Sequence, residues 1–176
     1  KRDDFRKLVG LVPLNSPVPP LLEKVGQVTI AATTEKFVTR EKFVVNTSHK
    51  AKVKIAWLSD NFNNRFLGKT EGPAAGAKKL DYARLARTAI DDEIRKEIGV
   101  EREETTLAQI WSLMERQPNG KSGVLLTNGY ANIFYVLDTN GVFWAVDVYW
   151  SSFDGGWFVN ADSVTDPDGW DDGFQV

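Results

Sequence analysis

The sequence predicts an α+β protein in which antiparallel sheets, ending in an aromatic-rich C-terminal β-meander, pack against two central helices. Three observations support this class. Short segments with alternating apolar residues lie towards both ends of the chain, and two segments with helical spacing lie between them. Residues 118–176, which include the predicted meander, hold 12 of the 20 aromatic residues. At 176 residues, the chain is long enough to bury the core of one domain.

The chain is expected to begin with a proline-rich arm, residues 1–24, and to continue as a single α+β domain, residues 25–176. Four prolines lie between positions 11 and 22. Because proline lacks a backbone N–H and restricts the preceding residue, the arm is predicted to be extended rather than helical.

The first strands are predicted at residues 25–32, 36–45 and 52–58, where apolar and polar side chains alternate. Polar residues 46–50 are expected to join the last two strands as a hairpin loop. Beyond them, Asp60 is placed to cap a short helix.

Two longer helices are predicted in the middle of the chain. Residues 79–98 place alanine and isoleucine at i, i+3 and i+4 spacing, and Gly99 follows as a terminator. Residues 107–116 form the second helix, because Thr106 and Gln109 have the spacing of a capping box.

The meander is predicted from strands at residues 124–127, 132–138, 142–150 and 157–164. Asn140-Gly141 favours a tight hairpin, since both residues tolerate positive φ. On the third of these strands, Trp144 and its alternate neighbours share one face. Phe143, Ala145, Asp147 and Tyr149 share the other face.

The face with Phe143 and Tyr149 carries more aromatic side chains than a face exposed only to water needs. We therefore expect a non-enzymatic binding module that contacts a protein or another macromolecule. The candidate binding residues are aromatic side chains of the C-terminal region: Phe143, Tyr149, Trp157, Phe158 and Trp170. The alternative is that a second layer, built from the N-terminal strands, covers this face.

Charge is distributed unevenly along the chain. From residue 118 onwards one lysine stands against eight aspartates, which gives −7, and residues 1–117 therefore carry +5. Two differently solvated faces would explain this pattern. A basic surface on the first two-thirds that binds nucleic acid is the alternative, although basic and acidic residues alternate along 79–98 as in a solvated helix.

The acidic C-terminal segment suggests two kinds of site. Asp166, Asp168 and Asp171 offer the hard oxygen ligands that Ca²⁺ prefers, but they lack the EF-hand spacing and suit an ordinary turn equally well. A carboxylate-dependent hydrolase is the second possibility, and it requires a pocket that gathers Asp154, Asp162, Asp166 or Asp168 with raised pKa values.

Other catalytic and cofactor sites find little support. His49 is the only histidine and lies in a polar loop, and Gly68-Lys69-Thr70 lacks the preceding glycine of a phosphate-binding loop. No cofactor is expected. The absence of cysteine favours a reducing compartment such as the cytoplasm. No apolar run reaches the roughly 18 residues of a membrane span, so no membrane insertion is expected.

Two stretches resemble a recurrent group of uncharacterised proteins from uncultivated candidate-phylum bacteria. They are residues 54–69, which contain Lys-Ile-Ala-Trp-Leu-Ser-Asp-Asn-Phe and then Phe-Leu-Gly-Lys, and residues 104–164, which contain Leu-Thr-Asn-Gly-Tyr-Ala-Asn-Ile-Phe-Tyr. The resemblance covers the last two-thirds of the chain and leaves out the proline-rich start. It implies a bacterial origin, and it implies no activity or catalytic residues.

Overall fold

A computed structural model describes residues 19–99 and 104–176 and shows a mixed α+β protein with several sheets. Residues 1–18 of the predicted arm lie outside the described residues. Residues 22–24, which were assigned to the same arm, belong instead to the first strand.

Within the described residues the chain forms eight strands, four helices and one 3₁₀ turn, Pro118–Gly120. The strands are β1 (Leu22–Ile30), β2 (Phe37–Val38), β3 (Ile55–Leu58), β4 (Thr70–Glu71), β5 (Lys78–Leu85), β6 (Asn132–Leu137), β7 (Phe143–Ser151) and β8 (Gly156–Ser163). The helices are α1 (Thr39–Lys42), α2 (Asp60–Phe66), α3 (Asp91–Ile98) and α4 (Leu107–Arg116).

The central sheet has the strand order β3-β8-β7-β6. β6, β7 and β8 pair antiparallel in chain order, with Asp147 opposite Asn160 and Tyr149 opposite Phe158. β3 joins the outer edge of β8 in parallel, and a bulge places Trp57 beside Phe158. Segments far apart in the sequence therefore share one sheet surface.

A second sheet is the ribbon formed by β1 and β5, which pair antiparallel. Residues 173–176 connect this ribbon to the central sheet. Val176 exchanges backbone hydrogen bonds with Ala83 of β5, and Gln175 exchanges them with Ala131 and Ile133 at β6. The chain thus passes between β5 and β6 as a short additional strand.

Two hydrophobic cores lie on opposite faces of the central sheet. The first core packs α2 and α4 against one face, which includes Trp144, Val146 and Trp157. The second core packs Ile94 of α3 against Tyr135 and Ala145 on the other face. Thr106 and Gln109 form the capping box that begins α4 at the predicted position.

The helix predicted over residues 79–98 is wrong in its first half. Residues 78–85 form β5, and α3 begins only at Asp91. Alanine at helical spacing offers little apolar surface to bury, whereas pairing along β1 satisfies the backbone of the whole segment. Gly99 has a positive φ and ends α3 as predicted.

Two strand predictions also fail. Residues 36–45 form the two-residue β2 and then α1, because the charged run Arg40-Glu41-Lys42 does not alternate and the helical turn leaves it in solvent. Residues 124–127 form no strand. The side-chain amide of Gln117 bonds to both the N–H and the C=O of Leu125, and that of Asn132 does the same at Leu126.

No helix among the described residues is long and apolar enough to cross a lipid bilayer.

Candidate binding surface on the central sheet

The predicted aromatic residues lie in three different environments. Trp157 is completely buried in the first core and offers no surface to a partner. Phe143 and Trp170 are partly buried against the second core. The guanidinium of Arg95 lies 4.8 Å from the centroid of the Phe143 ring, and the Trp170 indole donates a 2.9 Å hydrogen bond to Asp91. Both side chains therefore hold α3 and the C-terminal segment on the sheet.

Tyr149 and Phe158 lie on the same face, beyond the second core. Their rings are 5.1 Å apart between centroids, since the two residues are directly opposite each other on β7 and β8. Trp57 of β3 continues the row at 5.7 Å from Phe158, and 43% of its surface is exposed. We call Trp57, Phe158 and Tyr149 the aromatic strip.

The hairpin between β7 and β8 adds another exposed aromatic residue near this strip. Ser151 and Asp154 close the turn through a 2.6 Å hydrogen bond between their side chains, and Gly155 adopts a positive φ. Phe153 at the tip is 97% exposed. A phenylalanine held almost entirely in water makes no contribution to the fold that offsets its hydration cost.

Carboxylates occupy the next rows of the same face. Asp147 is only 3% exposed, and its Oδ2 has no hydrogen-bond partner. Burial, followed by the charge of Asp162, raises the pKa of Asp147 to about 7. Asn160 donates a 2.7 Å hydrogen bond to Asp162 on the same strand. This face therefore combines exposed rings with a buried carboxyl group that titrates near neutral pH.

Asp91 brings a third carboxyl group close to this pair. It is 2% exposed and accepts hydrogen bonds from the Tyr135 hydroxyl at 2.7 Å and from the Trp170 indole. Burial raises the pKa of Asp91, and burial together with the charges of Asp166 and Asp91 raises that of Asp162. The charge of Asp91 on α3 thus disfavours the ionised form of Asp162 on β8, and the charge of Asp162 disfavours that of Asp147 on β7.

The three predicted metal ligands are not gathered into one cluster of acidic side chains. Asp166, Asp168 and Asp171 are exposed, and the Asp166 carboxylate accepts the Asp168 backbone N–H at 3.0 Å, as in an ordinary Asx turn. Among residues 19–99 and 104–176, no group of three or more histidine or acidic side chains is arranged to hold a metal ion.

The structure also places Lys69 and His49, which belong to the two remaining motifs of the sequence. Lys69, from Gly68-Lys69-Thr70, hydrogen-bonds to the Leu137 carbonyl and lies 3.5 Å from the Glu71 carboxylate. It therefore connects the β4 region to the central sheet. His49 is exposed in the loop before β3.

Comparisons with known proteins leave the chain without an assigned family. No protein-family model, no curated protein and no solved structure matches it. The resemblance to proteins of candidate-phylum bacteria therefore stays a prediction.

Proposed function

We propose that this protein is a binding module that contacts a macromolecular partner, most simply another protein, through the aromatic strip and Phe153. The observation behind this proposal is the row of three rings on β3, β8 and β7, which continues past the second core into solvent. Aromatic residues are enriched at the centres of protein interfaces because each buries a large area with few rotatable bonds.

The charge around the strip favours a neutral or cationic partner surface. Residues 118–176 contain eight aspartates and one lysine. Asp154 lies beside the strip on the hairpin, and its charge contributes to the raised pKa of Tyr149, after burial and Asp147. A polyanion would meet repulsion here, so nucleic acid suits this surface poorly. Nucleic-acid binding elsewhere, through the basic first two-thirds, stays a prediction.

The test compares the wild type with a Trp57→Ser/Phe153→Ser double variant and a matched Val142→Ser control. Val142 is 53% exposed, but it lies at the other end of β7. Each protein is used to capture partners from an extract of its source cells, and the Kd of the enriched partner is then measured with purified components. We expect the double variant to weaken binding by about tenfold or more, because central aromatic anchors dominate interface energies.

The Val142→Ser control distinguishes loss of the aromatic surface from a general change in solubility or in non-specific binding. Circular dichroism should show that the three proteins have the same fold. A partner that binds the double variant as tightly as the wild type would remove the aromatic strip as the contact surface.

A second proposal, a carboxylate-dependent hydrolase, is supported by the raised pKa values of Asp147, Asp162 and Asp91. Asp162 is partly exposed, so a substrate could reach it, whereas Asp147 is enclosed. Asp154 is engaged with Ser151, and Asp168 is exposed in the C-terminal loop. Hydrolysis of chromogenic glycosides or esters should then disappear in Asp162→Asn and persist in Phe153→Ser. Equal rates in both variants would exclude this chemistry.

A further inference from the structure

A cleft of about 530 Å³ lies between the β1–β5 ribbon and β6, on the side of the molecule away from the aromatic strip. Residues 173–176 close one end, because Val176 pairs with β5 while Gln175 pairs with the β6 region. Leu113 of α4 is buried and lines the cleft on the side of the first core. The volume falls in the range of small-molecule sites, which is roughly 300–1,000 Å³.

The walls of the cleft are apolar side chains that the fold leaves partly uncovered. Val28, Leu80, Val124 and Phe134 pack against the first core, yet each remains partly exposed. Val28 and Leu80 are directly opposite each other in the ribbon, so they present one continuous surface to the cleft. A ligand with an apolar chain would cover this surface and release its water.

The ionic groups around the cleft are mostly compensated within the protein. Lys24 pairs with Asp81 at 2.9 Å, and Glu97 accepts the backbone N–H groups of Leu21 and Leu22 at 3.0 and 2.8 Å. The ion pair neutralises Lys24 and Asp81, and the backbone hydrogen bonds satisfy the carboxylate oxygens of Glu97. Glu97 keeps its charge, and three lysines against Asp81 and Glu97 give the lining residues a net charge of +1.

Lys78 is the basic residue best placed to meet a ligand. Its position alternates with Leu80 along β5, so both side chains lie on the ribbon face that bears Val28. Its ammonium donates a 3.2 Å hydrogen bond to the Glu104 carbonyl, which is a neutral acceptor. No carboxylate in the described part of the chain forms an ion pair with Lys78, which leaves its charge available to an anion.

We propose that this cleft binds a small amphipathic anion, with an apolar chain along Val28, Leu80, Val124 and Phe134 and an anionic head group at Lys78. This site is separate from the aromatic strip and does not depend on the proposed partner. Its ligand could carry either a carboxylate or a phosphate head. The two share the negative charge that Lys78 would recognise, and they differ in how many oxygen acceptors they offer.

The test uses probes with the same ten-carbon chain and different heads: decanoate, decyl phosphate and decylammonium, each below its micellar concentration. Titration calorimetry on the full chain should show that the anions bind at least about tenfold more tightly than the cation. The better of the two anions identifies the head group. In Lys78→Gln the preference for anions should be lost, whereas Lys42→Gln, which removes an exposed lysine of α1, should leave it unchanged.

The position of the ligand in the cleft is tested separately from the effect of the Lys78 charge. Val28→Trp should fill part of the cleft and abolish binding of decanoate, while Val142→Trp at a distant exposed position should not. Circular dichroism confirms that each variant is folded. Methyl NMR shifts induced by decanoate should concentrate on Leu80, Val124 and Leu113, which gives a readout that does not require a variant. Equal binding of decylammonium and decanoate, or unchanged binding in Val28→Trp, would overturn the proposal.

Discussion

Two buried aspartates, one before the turn that leads into β7 and one within β7, show how the local surroundings decide the protonation of a carboxyl group. Burial by itself would raise the pKa of Asp138, but the backbone N–H groups of Val142 and Asn140 donate to its carboxylate and its pKa is lowered. At Asp147, burial and the charge of Asp162 outweigh the hydrogen bonding, and its pKa is raised to about 7. The turn before β7 stabilises the charge of Asp138, whereas burial in the middle of β7 destabilises the charge of Asp147.

Asp147→Asn should stabilise the protein above neutral pH. In the unfolded chain Asp147 titrates near 3.8, and in the folded protein it titrates near 7. The folded state therefore binds more protons between these values, so the free energy of unfolding falls as pH rises through that window. Removing the charge should add about 4 kcal/mol at pH 8 and little at pH 4. Urea unfolding followed by tryptophan fluorescence from pH 4 to 8 measures the difference.

Several neighbours shape this pH dependence. Asp162 on β8 and Tyr149 on β7 interact with Asp147, while Asp91 and Asp166 act on Asp162. Because Asp91 and Asp162 also have raised pKa values, Asp147→Asn should reduce the slope without removing it. Asp168→Asn, at an exposed position, serves as the control. A variant at Asp147 that is less stable than the wild type at pH 8 would show that its charge has a stabilising partner.

At the scale of elements, the sequence predicts best where the stabilising signals are local. The start of α4 follows from its capping box, and the turn with Gly141, at φ 75°, separates β6 from β7 near the predicted position. β5 was predicted as helix because alanine and isoleucine happen to recur at helical spacing. Its actual partner, β1, is about 50 residues away, and no periodicity within β5 indicates that pairing.

The same contrast between local signals and long-range pairing applies to the aromatic strip. Tyr149 and Phe158 could be predicted as neighbours, since both belong to strands joined by the short turn at Gly155. Trp57 could not, because it reaches the strip through the parallel pairing of β3 with β8. The location of Phe153 between two serines and Asp-Gly-Gly is a turn signal that would have indicated its exposure. The roles of Phe143 and Trp170 depend on α3 and the C-terminal segment, which pack on the sheet without a repeating pattern.

At the scale of the whole molecule, Gln175 joins three parts of the structure that are distant in sequence. Its side-chain amide donates to the Val124 carbonyl at 2.9 Å and to Asn132 Oδ1 at 3.2 Å, and its Oε1 accepts a hydrogen bond from Arg84 of the ribbon. The residue is 3% exposed. The bonds of this one side chain thus connect the ribbon, the loop before β6 and the edge of the central sheet.

Gln175→Ala should weaken the attachment of the ribbon more than it weakens the central sheet. The substitution leaves the Val124 carbonyl without this donor and Arg84 without this acceptor, while Asn132 Oδ1 keeps the Leu126 N–H. A loss of about 2–3 kcal/mol follows from the groups deprived of their partners. In native-state hydrogen exchange, the amides of β1 and β5 should lose protection, while those of β7 and β8 keep it because their ladder is intact. Gln27→Ala, which removes only a single exposed bond to Asp81 within the ribbon, is the matched control. If protection fell equally in β5 and β7, the ribbon and the central sheet would open together, and Gln175 would stabilise the molecule as one cooperative unit rather than the junction alone.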